Sequence, residues 1–138
     1  MNRLELTILR NLVHNEEYLR KVLPFLSKDY FTDNNDKTVF NLIVEFVNSY
    51  NKPPNTEALE IALQNSNSNE EAFKEAYQII KSLEQKETPD QQWLLDETEK
   101  FCKDKAVYNA ILQSIGILEG RDKQHSKDGI PSLLQEAL

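Results

Sequence analysis

Along residues 3–13 apolar side chains recur as Leu4, Ile8, Leu12 and as Leu6, Leu9, Val13, the spacing of an amphipathic helix with a wide apolar face. Asn15 is a natural N-cap for a short second helix. Glu16 and Glu17 complement its positive start, and Pro24 cuts it off. Phe25, Leu26, Tyr30 and Phe31 are expected as core anchors in a turn-rich connection, followed by a polar loop over 32–36. Helical spacing returns over 37–50 with Val39, Ile43, Phe46, Val47 and Tyr50. Phe40 and Leu42 spread the apolar character around most of the circumference, which predicts the central helix of the domain.

The break at 51–54 contains Pro53 and Pro54, and Asn55 or Thr56 then caps a helix carrying Leu59, Ala62 and Leu63. After the polar run 65–69, Ser68 with Glu71 three residues on forms a capping-box pattern for a helix with Phe73, Ala76, Tyr77, Ile80 and Leu83. Thr88, Pro89 and Gln91 combine two helix-start signals and open a helix expected over 89–119, with Gly120 as the stop. At 1.5 Å per residue such a helix is about 45 Å long, more than a small compact domain requires. Leu94, Phe101, Tyr108 and Ile115 fall at successive sevens along it, joined in its second half by Ile111, Leu112 and Leu118. That stripe predicts an antiparallel hairpin with the preceding helix, and a surface left over for another subunit. Residues 120–129 contain no apolar side chain and read as a linker, after which IPSLLQEAL begins an amphipathic helix with the ridge Ile130, Leu133, Leu134, Leu138. This ridge either folds back or docks on another domain or subunit. The expected architecture is therefore all-α: a globular helical body over 1–66, a two-helix hairpin of the same domain over 67–119, and a linker with the start of a linker helix over 120–138.

Composition narrows the function. The chain has 138 residues with three Gly and five Pro, enough for one core but poorly supplied with the tight turns of a β-sandwich. A net charge of −7 argues against a broad basic face for nucleic acid. The single Cys excludes an intramolecular disulfide and a Cys-built zinc cage, and fits a reducing cytosol. No apolar run approaches the ~20 residues that span a bilayer, and the charged start is not a secretory signal.

No constellation for catalysis emerges. Glycines stand only at 116, 120 and 129, so there is no phosphate-cradling loop ending in Gly-Lys-Ser/Thr. His14 and His125 lack carboxylates at metal-ligand spacing and are expected to be solvated, and Cys102 has no His within a helical turn to activate it. Asp96, Glu97, Glu99 and Asp104 alternate with lysines as a solvated, salt-bridged face does. Trp93 suits either an interface anchor or a plug between hairpin and body. Tyr18, Tyr30, Tyr50, Phe25 and Phe31 have too few interleaved Arg residues to serve as a base-stacking platform and are expected mostly in the core. Catalytic, cofactor-binding and metal-binding residues are thus expected to be absent from this chain.

The block order LELTILRNLV, FLSKDYF, KTVFNLIVEFV, NKPPNTEALEIAL resembles the amino-terminal domain of DnaB-type hexameric replicative helicases. WLLDETEKFCKDKAVYNAILQSI and GIPSLLQEAL are most similar to the helicases of T-even-type phages. Arg10-Asn11 stand where bacterial members usually carry Gly, which favours the phage branch. The resemblance implies a collar domain that pairs as dimers within a hexameric ring, with Leu94, Phe101, Tyr108, Ile111 and Ile115 at the subunit interface. It also implies that Ile130, Leu133, Leu134 and Leu138 dock on the adjacent subunit. The ATPase motor would follow this segment, using ATP or GTP with Mg to unwind DNA 5′ to 3′ in the bacterial host cytoplasm. Primase and a helicase loader are the implied partners. Single-stranded DNA would pass through the parent ring but bind this domain weakly or not at all, and no membrane is implied. The stop in mid-helix at Leu138 is what a fragment of a longer protein would show. The alternative is a stand-alone helical adaptor that binds a helicase, primase or loader.

Overall fold

The computed structural model describes residues 3–87, 89–121 and 126–138. Seven α-helices and no strand occur among them: α1 (Arg3–His14), α2 (Glu16–Val22), α3 (Asn34–Tyr50), α4 (Thr56–Gln64), α5 (Glu70–Ser82), α6 (Gln91–Leu118) and α7 (Ile130–Ala137). Short 3₁₀ turns occupy Leu23–Phe25, Lys28–Tyr30 and Lys127–Gly129. The fold is all-α, as the periodicity predicts. Two compact units divide the chain between Leu95 and Asp96.

In the first unit α3 packs against α1, α4 and α5, and α1 also packs on α2. Its core is built from Ile8, Leu9 and Leu12 of α1, Tyr18 and Leu19 of α2, and Val39, Phe40 and Ile43 of α3. Leu59 and Leu63 of α4 and Ala76, Ile79 and Ile80 of α5 complete it. The central role of α3 therefore holds for its first half. Phe31 is buried and packs its ring on Phe40 at 5.0 Å, whereas Phe25, expected in the core, is 70% exposed. Pro24 sits in the first turn of the 3₁₀ segment, which carries Phe25 outward.

The caps show how local chemistry sets the boundaries. Asn15, Asn55 and Asn69 each accept from the backbone N–H three residues on, at 3.0, 2.7 and 2.8 Å. The capping box expected at Ser68 is thus displaced by one residue: Asn69 caps α5, and the Ser68 hydroxyl pairs with that of Ser66 instead. Likewise Asp90 accepts from Trp93 N at 2.9 Å, so α6 opens at Gln91 rather than Pro89. Thr88, the cap expected from sequence, lies outside the described residues. α3 begins earlier than its apolar spacing indicates, because Asp33 caps it through Asn35 N at 2.7 Å. α5, expected in a hairpin, packs on α3 and α4 within the first unit.

A polar seam fixes the end of α5 and the approach to α6. The Arg10 guanidinium, almost fully buried, donates to Ser82 O at 2.9 Å and pairs with Glu87 at 2.8 Å. His14 Nε2 lies 2.6 Å from Leu83 O, and Asn15 donates to Gln91 Oε1 at 2.8 Å. His14 is therefore not simply solvated. It occupies an unpaired carbonyl at the carboxyl end of α5, where a donor satisfies the backbone. His125 lies outside the described residues.

Candidate functional site

Among the described residues no group of three or more His, Cys, Asp or Glu is placed to hold a metal ion. Glu99 and Lys103 of α6 form an exposed i, i+4 ion pair at 3.0 Å, the solvated face its sequence suggests. Burial pushes the Cys102 thiol up to about 11, so it is uncharged at neutral pH and suits packing rather than nucleophilic attack. Asp36 is the most perturbed carboxyl, 2% exposed and raised to about 6. Burial is the main cause, and the negative charges of Asp33 and Glu5 add to it. Glu5 faces inward as well, accepting from Thr32 N at 2.8 Å and tying the loop before α3 to α1. Glu5 thus ties α1 to the loop before α3, whereas one carboxyl oxygen of Asp36 is buried without a hydrogen-bond partner among the described residues.

The second unit instead offers a surface. On α6 the buried side chains Ala110, Ser114 and Ile117 follow i, i+4, i+7 and mark one face, with Ser114 Oγ donating to Ala110 O at 2.8 Å. At 100° per residue, Tyr108, Ile111, Leu112, Ile115 and Leu118 cluster on the opposite face, and all five are exposed. Tyr108 is 56% exposed, and Lys105 Nζ stands 5.9 Å from its ring centre. Soluble monomers seldom leave such a contiguous apolar patch in water. Leu94 and Phe101, which the sevenfold spacing puts on the same stripe, are buried in this chain. Of the five residues assigned to a subunit interface, then, Tyr108, Ile111 and Ile115 lie open. Leu112 and Leu118 join them, a membership that the i, i+3, i+4 spacing already carries. Trp93 leaves about half its surface in water.

α6 ends on Gly120 in the left-handed region (φ 76), with Arg121 N donating to Gly116 O at 2.8 Å and Gly120 N to Ile117 O at 3.1 Å. These paired bonds are a Schellman stop, which favours Gly because no Cβ is strained there. In α7, Pro131 occupies the first turn, and Ile130, Leu133 and Leu134 are half-buried while Leu138 is 88% exposed. The ridge is thus partly covered within the chain. No helix among the described residues is long and apolar enough to cross a membrane.

The described residues thus form an all-helical chain with an exposed apolar face on α6. No protein-family profile matches the chain. It is 34% identical over 140 aligned positions to the DnaB-like replicative helicase of Enterobacteria phage T4. That alignment takes in 95% of this chain and 29% of the relative, so the chain spans under a third of the protein it matches. The match is consistent with an amino-terminal domain of a DnaB-type helicase and establishes homology to a phage replicative helicase.

Proposed function

We propose that this chain is the amino-terminal collar domain of a replicative DNA helicase, an oligomerising and partner-binding module without an active site of its own. The observation that carries this reading is the open stripe Tyr108, Ile111, Leu112, Ile115, Leu118 on a chain homologous to a replicative helicase over 95% of its length. Segment 67–119 supplies the contacts that pair subunits within a hexameric ring. Ile130, Leu133, Leu134 and Leu138 seat the terminal helix on the adjacent subunit. In the parent protein a motor hydrolyses ATP or GTP with Mg and unwinds duplex DNA 5′ to 3′, while primase and a loader engage the collar. The setting is the cytoplasm of a bacterial host. The net charge of −7 leaves the domain itself with weak affinity for single strands.

The mechanism is geometric. Burying large apolar side chains that the lone chain leaves in water stabilises pairing by roughly 25 cal/mol per Å² of apolar surface removed from water. Light scattering on the 138-residue chain tests the proposal. Tyr108→Glu with Ile115→Glu is expected to reduce an oligomer to monomer while helix content by circular dichroism stays constant. An assembly mass unaffected by the pair of charges overturns the interface assignment.

A further inference from the structure

A second surface, remote in sequence from the α6 stripe, has chemistry of its own. One face of α3 and the segment from α2 through the 3₁₀ turns enclose an open groove of about 560 Å³. Phe40, Val44 and Val47 form its floor along α3, and Leu19, Leu23 and Leu26 form the facing wall. From Phe40 to Asn48 the groove follows about two turns of α3, roughly 12 Å at 1.5 Å per residue. Pro24 also lines the groove, whereas Phe25 is not among its lining residues.

The groove is rimmed by cations on a strongly acidic chain. Arg20, Lys28 and Lys52 all line it, and among the described residues no carboxylate does. Arg20 is held in place, with Nη2 donating to Asn51 O at 2.9 Å and Nε paired with Glu16 at 3.2 Å. Lys28 and Lys52 have no ion-pair partner among the described residues. Asn51 itself is in the left-handed region (φ 55) and ends α3, so the chain turns there and carries Lys52 to the end of the groove. A floor of Leu, Val and Phe side chains suits an apolar ridge rather than stacked bases, which need exposed aromatic faces. On a chain with a net charge of −7, this cationic rim attracts an acidic partner locally.

We propose that the groove between α2 and α3 docks an acidic amphipathic helix of a partner protein, its apolar ridge on Val44 and Val47 and its carboxylates on Lys28 and Lys52. The inference is independent of the subunit reading above, since it uses none of the α6 residues. The test uses the 138-residue chain and a labelled peptide of about 18 residues, with Leu at i, i+4, i+7 and i+11 and Glu on both flanks. A Lys-flanked copy and a deoxythymidine 20-mer are the controls. The acidic peptide is expected to shift the methyl resonances of Val44 and Val47. Its affinity should fall about tenfold in the Lys28→Glu/Lys52→Glu variant, and that variant should instead prefer the Lys-flanked peptide. Both lysines are exposed, so circular dichroism should match the parent chain. Equal affinity of parent and variant for the acidic peptide overturns the proposal. So do shifts of these methyls with the oligonucleotide but not with the acidic peptide, which would make the groove a nucleic-acid site.

Discussion

Arg10 shows how much a single buried charge can organise. Its guanidinium joins α1 to the last turn of α5 and to Glu87, yet its Nε has no partner among the described atoms. Arg10→Ala would strand Ser82 O and remove packing as well as charge, and is expected to cost about 2–3 kcal/mol in urea unfolding. Glu87→Ala removes only a half-exposed carboxylate and should cost less than about 1 kcal/mol. Equal losses would place the energy in the ion pair rather than in the carbonyl contact. Asp36 makes the opposite contribution. Its folded value of about 6 lies above the ordinary 3.8, so the native state binds the proton more tightly than the unfolded chain. Its contribution is therefore favourable at low pH and is lost as pH rises through about 4 to 6. Asp36→Asn should remove that slope and raise stability at pH 7 by about 2 kcal/mol. A stability profile that keeps its slope would show that another group titrates there.

At the scale of the element, helix boundaries follow whichever polar side chain reaches the free N–H groups, and neighbours compete for that role. Ser68 and Asn69 are both good caps on paper, but only Asn69 accepts from the third backbone N–H on, Ala72 N. Asn69→Ala is expected to lower the melting midpoint by the equivalent of about 1 kcal/mol, and Ser68→Ala to change it little. A larger loss from Ser68 would restore the capping-box reading. The same competition moves the start of α6 to Asp90. A Gly stop is less ambiguous: Gly120 was legible because few residues adopt φ near 76 without strain. α5 illustrates the limit of pattern reading. Its stripe of Ala76, Ile79 and Ile80 announces burial, but equally good apolar faces were on offer, and α3 and α4 took it.

For the whole molecule the informative contrast lies along one stripe of α6. Phe101 and Tyr108 are seven residues apart and look alike in sequence, yet one is 6% exposed and the other 56%. Charge at the two positions should therefore act differently. Phe101→Glu buries a carboxylate and is expected to cost about 3 kcal/mol or more in folding stability, while Tyr108→Glu leaves stability almost unchanged and weakens assembly. Loss of assembly without loss of stability at Phe101 would mean that it too faces a neighbouring subunit.

Periodicity, caps and the shortage of Gly determined the all-α class, the central place of α3, the stop of α6 and the amphipathic α7, because each depends on residues within a few turns of one another. Which faces meet depends on contacts between residues tens of positions apart, and one-dimensional spacing carries no term for them. Tertiary structure alone decided that α5 joins the body, that His14 caps a distant carbonyl, and that Phe25 stays in water. It also decided that the α6 stripe is buried at Phe101 and bare at Tyr108. An apolar side chain needs burial but does not specify by whom.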